Sequence, residues 1–123
     1  MLRSRAAKAP GMSTTHLFRA MSGRTEVALV VLDVQPGTSC IGLYEIFLAT
    51  GDRNHGVGTE VLAAIEAYVI ASGRGCLEVW PRTLDTGSRS DAQLQSWYRK
   101  HGFTSPQAGS DRLRKTFPQR PPP

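Results

Sequence analysis

The chain has 123 residues, 40% hydrophobic and 20% charged, a balance that suits one globular domain around a single core and excludes a disordered polypeptide. No run approaches the roughly 18 consecutive apolar residues of a bilayer-crossing helix, and the N-terminal stretch lacks the apolar segment of a secretory signal, so no membrane partner and a cytoplasmic address are expected. The net charge is +5, but residues 1–24 hold five basic side chains and no acidic one, while residues 25–104 hold six basic against nine acidic. A nucleic-acid footprint needs a basic face on the folded unit, and here basicity sits at the chain ends, so nucleic acid is not an expected partner.

Residues 1–25 read as an irregular basic arm or a short helix, with one apolar patch at Leu17 and Phe18. Glu26–Val34 (EVALVVLDV) is a β-branched run with apolar residues on both faces, which suits an internal strand. The turn chemistry of Gln35-Pro-Gly-Thr-Ser39 leads into a second strand, Cys40–Ala49 (CIGLYEIFLA), so the two read as a hairpin. Thr50–His55 is polar and predicts a loop. From Gly58 onward Val61, Leu62, Ile65, Tyr68 and Val69 form one apolar stripe at a 3.6-residue period, and Gly73 and Gly75 supply the stop.

Cys76–Trp80 (CLEVW) is a third strand, and its strand–helix–strand order implies a right-handed crossover between parallel strands. After a loop over Arg82–Arg89, Ser90 or Asp91 can cap a second helix in which Leu94, Trp97, Tyr98 and His101 share a face. Gly102 ends it. Arg112–Phe117 alternates as an edge strand does, and residues 118–123 are a Pro-rich tail. The organisation expected is therefore an arm over 1–25, one domain over 26–117 and a tail over 118–123. Cys40 and Cys76 lie far apart in sequence inside apolar runs and predict buried reduced thiols. With His16, His55 and His101 they show no metal-ligand spacing, and no metal is expected.

The segment Arg53-Asn54-His55-Gly56-Val57-Gly58 lies between an apolar strand and an amphipathic helix. Glycines at a helix start let the backbone approach a ligand, and the unpaired first-turn N–H groups together with the helix dipole make an anion site. Arg53 adds a positive charge at its edge. A P-loop would need Lys-Ser/Thr after the last glycine, where Thr59-Glu60 stand instead, and a dinucleotide fingerprint would need a third glycine near Val61. On its own the same pair of glycines serves equally as a turn ahead of a helix.

In context, the succession LYEIFLA, RNHGVG, TEVLAAIEAYVIA, CLEVW and WYRKHGF over residues 43–103 resembles the signature of the GNAT superfamily of acetyl-CoA-dependent N-acetyltransferases. The resemblance covers about half the chain and rests on two separated motifs, Arg-x-x-Gly-x-Gly and Tyr-x-x-x-Gly-Phe. It implies an α/β fold, a mixed β-sheet flanked by helices, with an antiparallel hairpin leading into the strand–helix–strand unit. It implies that Arg53, Asn54, His55, Gly56, Val57, Gly58 and Thr59 surround the pyrophosphate of acetyl-CoA. Leu48 and Ala49 would then offer backbone groups to its pantetheine arm. Tyr98 stands where many members keep a tyrosine that protonates the departing thiolate. Its competing reading is a core aromatic. Glu45 stands where members often place an acidic residue able to take a proton from the acceptor amine, and it reads equally as a strand carboxylate in a salt bridge.

Two departures from the family pattern stand out. Asp91 replaces an asparagine that contacts CoA, and would serve instead as a helix cap. Residues 1–25 are too short for the strand and helical pair that shape the family's acceptor pocket. The expected partner is an amine-bearing small molecule or protein amino group, and the chain is compatible with a homodimer. A catalytically silent CoA-binding module and a nucleic-acid-associated protein with basic tails are the alternatives.

Overall fold

The structure is a computed structural model that describes residues 2–4 (as backbone), 14–48, 56–81, 91–109 and 111–118. The chain order is β1 (Leu2–Ser4), β2 (Thr15–Ser22), β3 (Thr25–Asp33), β4 (Cys40–Leu48), α1 (Val57–Ala71), β5 (Cys76–Val79), α2 (Asp91–Lys100) and β6 (Leu113–Thr116). The six strands form one sheet in sequence order, antiparallel throughout except for the β4–β5 pair. That parallel pair, joined through α1, is the crossover the strand–helix–strand pattern requires.

Residues 15–22 depart from the irregular arm expected of residues 1–25: they are a full strand paired with β3 from Thr15↔Asp33 to Ser22↔Thr25. Alternation explains this. Phe18 and Ala20 point into the core, with His16 on the same face opposite Leu32, while Leu17 and Arg19 face the other way, a period-two pattern masked by the polar His16 and Arg19. Gly23, at φ 61°, supplies the left-handed residue of the two-residue turn into β3.

One face of the sheet carries the core. Val30 and Leu32 of β3, Ile41 and Leu43 of β4, Leu77 and Val79 of β5 and Leu113 of β6 are buried there against Val61, Leu62, Ile65 and Val69, the predicted stripe of α1. Full burial of each such side chain stabilises the fold by about 1.5–3 kcal/mol. Tyr68 packs its ring against Phe18 with centroids 5.1 Å apart. At the end of α1, Gly73 at φ 79° stops the helix, and the Arg74 guanidinium donates to the carbonyls of Gln35 and Thr38, which pins the β3–β4 turn to the helix. Lys115 of β6 joins the second helix to the first, because its Nζ pairs with Glu66 of α1 at 2.9 Å and donates to the carbonyl of His101 just past α2.

The cysteines are not reduced thiols. Cys40 and Cys76 begin the two parallel strands as register partners, with Cα atoms 4.4 Å apart, and form a disulfide. Nothing in their sequence spacing of 36 shows this, since parallel register brings them together only once α1 has crossed over. No helix among the described residues is long and apolar enough to cross a membrane.

Candidate functional site

The parallel pairing of β4 with β5 is short. It runs from Cys40↔Cys76 to Leu43↔Val79 and stops, while β4 continues to Leu48 with β3 alone beside it among the described residues. Five residues of β4, Tyr44 to Leu48, thus present an open backbone edge about 15 Å long, given a rise of ~3.3 Å per residue. An extended ligand with amide groups can pair with such an edge as an added strand would.

A β-bulge lies at the point of parting. Val31 of β3 faces Glu45 while Leu32 faces Leu43, so Tyr44 is the extra residue of β4. The bulge turns two consecutive side chains to the sheet face away from α1: Glu45 is the register partner of Val31, and the Tyr44 hydroxyl reaches Asp33, 3.3 Å away. The Glu45 carboxylate is half-buried and accepts a hydrogen bond from the Ile46 amide at 3.0 Å. Burial raises its pKa above the ordinary glutamate value, and the Ile46 hydrogen bond offsets part of that rise. A carboxylate of raised basicity beside an open strand edge can take up a proton.

In chain order the next described element after β4 is α1, which begins at Val57. Gly56 caps the helix in the left-handed conformation at φ 77°, and no side-chain cap hydrogen bond is made among the described residues. Glu60 donates to the Gly56 carbonyl at 3.1 Å, so the amides of Val57, Gly58 and Thr59 precede the intrahelical ladder and are available to an anion. A β-carbon at Gly56 would meet nothing within 4 Å, so its glycine answers to backbone conformation rather than to crowding. Gly58 differs: a β-carbon there would stand 3.5 Å from Trp97 of α2. Thr59 is exposed.

Arg53, Asn54, His55 and Ala49 lie outside the described residues. Leu48 closes β4 opposite Ala28, at the end of the open edge. Asp91 is the first residue of α2 and is exposed, a position where a carboxylate complements the helix dipole. Tyr98 is 6% exposed and sits edge-on to Trp97 and Phe103, with centroids 5.0 and 5.3 Å away. The ring is therefore part of the core. No group of three or more His, Cys, Asp or Glu among the described residues is arranged to hold a metal.

Asp33, Tyr44 and Trp80 were not singled out in the sequence. Asp33 accepts from the Thr14 hydroxyl, from Gln35 at 3.1 Å and from Tyr44. Trp80 follows β5 and lies 6.1 Å from the Tyr44 ring. Burial and the Asp33 carboxylate both hold the Tyr44 phenol above its ordinary pKa, so it stays protonated. In a regular strand Tyr44 and Glu45 would point to opposite faces. Only the bulge brings them together, and no residue pattern marks it.

The mixed sheet, with its parallel β4–β5 pair joined through α1, is shared with solved structures. The chain has the GNAT fold. A protein assigned to the GNAT acetyltransferase family from Desulfovibrio desulfuricans superposes with a TM-score of 0.63 at 22% identity, over 84% of this chain and 69% of the other. A PaiA N-acetyltransferase from Thermoplasma acidophilum in complex with coenzyme A gives 0.61 at 18% identity, over 82% and 60%. A GNAT family acetyltransferase from Elizabethkingia anophelis with acetyl-CoA bound gives 0.61 at 18% identity, over 85% and 77%. No protein-family model matches the sequence, and no curated protein is similar to it.

Proposed function

We propose that the protein is an N-acetyltransferase that moves the acetyl group of acetyl-CoA to an amine by direct attack within a ternary complex. The observation that carries this reading is the parting of β4 from β5 after Leu43, at the bulge on Tyr44, in a strand followed by a helix whose N-cap is the left-handed Gly56. The amides of Val57, Gly58 and Thr59 suit a pyrophosphate, joined by the Arg53–His55 segment, and the Tyr44–Leu48 edge suits the two amides of a pantetheine arm. Acetyl-CoA supplies a thioester carbonyl, and a backbone N–H of the edge near Leu48 stabilises the negative charge that grows on its oxygen as the amine adds.

The amine must be neutral to attack, and Glu45 is the group placed to accept its proton. Tyr98 is the candidate donor to the leaving thiolate. Its buried ring favours a second reading, in which the chain binds CoA without turning it over. An assay of acetyl transfer to a panel of primary amines, followed by mass spectrometry, separates the two. Acetylated product whose formation slows at least about tenfold in Tyr98→Phe supports the enzyme with Tyr98 as acid. Product at an unchanged rate in that variant removes Tyr98 from the chemistry. CoA binding with no product from any amine establishes the silent module.

A further inference from the structure

Beyond the open edge of β4, the sheet face away from α1 carries a built corner beside the bulge. Ile41 and Leu43 point into the core, so the missing side chain of Gly42 opens toward the far face. A β-carbon at Gly42 would stand 3.4 Å from the Trp80 ring and 3.4 Å from the Asp33 Cβ. The glycine therefore forms a floor over which Trp80 can lie. The Tyr44 ring stands beside Trp80, tilted by 40°, and its hydroxyl ties it to the Asp33 carboxylate. Both rings reach solvent, Tyr44 at 49% and Trp80 at 37% exposed.

The charge of Asp33 is the unusual element. Each of its partners, Thr14, Gln35 and Tyr44, is a neutral donor, and among the described residues no cation pairs with it. Two exposed aromatic rings meeting at a corner beside an uncompensated carboxylate are what an organic cation needs, because a cation within ~6 Å of ring centroids is attracted by their faces. With centroids 6.1 Å apart and planes tilted by 40°, the two rings are in contact, and a cation on the open side of their corner can lie within ~6 Å of both. Lys and Arg side chains of the chain do not fill this place among the described residues.

We propose that Trp80, Tyr44 and Asp33 form a binding corner for an alkylammonium group of the acceptor. It determines specificity for cationic acceptors at the end of the open edge where Glu45 stands. This assignment rests on the acetyltransferase reading for its purpose, but binding at the corner requires neither acetyl-CoA nor turnover.

The test is a titration of the full chain, without acetyl-CoA, with choline and with its neutral isostere 3,3-dimethylbutan-1-ol, followed by calorimetry or by shifts of the Trp80 indole resonance. Choline is expected to bind about tenfold more tightly than the isostere. Trp80→Leu and Asp33→Asn should each erase that preference, and Trp80→Phe, which keeps a ring, should retain most of it. All variants are checked for an unchanged thermal midpoint. Equal affinity for the two probes, no binding of choline to the folded protein, or an unaltered preference in Trp80→Leu would overturn the proposal. Choline selectivity in a protein that fails to bind acetyl-CoA would sustain the corner while removing the acetyltransferase reading.

Discussion

Trp97 of α2 rests on the backbone of Gly58 at the start of α1, with only 3.5 Å between the ring and the place of an absent β-carbon. Alanine fits that gap at ordinary van der Waals distance, and in a helix it gains up to about 1 kcal/mol over glycine. Gly58→Ala should therefore hold or raise the thermal midpoint. Gly58→Leu should lower it by several degrees, since overpacking costs about 1–3 kcal/mol. Thermal unfolding of the two variants checks this, and equal midpoints would mean that α2 is not seated on α1. Bulky replacements at Gly58 displace α2 as well as obstructing a ligand, so they are poor probes of the anion site.

The Cys40–Cys76 disulfide closes a ring that contains all of β4, all of α1 and the segments that join them to each other and to β5. Cross-linking residues 36 apart restricts the unfolded chain by roughly 3–4 kcal/mol in the chain-entropy account. Reduction, or the Cys40→Ala/Cys76→Ala pair, should lower the thermal midpoint by on the order of 10 °C. A native protein that reports two free thiols and melts identically with and without reductant would contradict it.

Glu45 gives a pH dependence with a defined sign. Burial raises its folded pKa, so as pH rises the unfolded chain loses this proton first. Stability contributed by the protonated form is fully present below the unfolded pKa and is lost as pH rises through the raised folded value. Glu45→Gln should therefore gain stability relative to wild type above that window. As the acceptor of the amine's proton, Glu45 should also place the acid limb of kcat/KM above the usual glutamate range, and Glu45→Gln should abolish that limb. An identical acid limb in the variant would exclude it as the base.

Much of the fold could be read in residue order. The stripe of Val61, Leu62, Ile65 and Val69, the stops at Gly73 and Gly102 and the edge strand around Leu113 follow local rules of period and backbone freedom. What escaped depends on register. Strand β2 escaped because its core face holds the polar His16 beside Phe18 and Ala20, and its other face holds Arg19, so only pairing with β3 reveals it. The disulfide escaped because it exists through a parallel register. The Asp33–Tyr44–Trp80 corner escaped because three strands and a bulge assemble it, while the glycines of the candidate site announced their positions through a motif.

If the N-terminus of α1 holds the pyrophosphate of acetyl-CoA, Thr59→Glu should weaken that hold. Thr59 is exposed in the first helical turn, where a carboxylate favours the helix by about 0.3–1 kcal/mol yet repels a bound anion. Calorimetric titration with acetyl-CoA should show binding by the wild type and a loss of on the order of tenfold in the variant, with no fall in thermal midpoint. Equal affinity in the two proteins, or no binding by the folded wild type, would contradict the account.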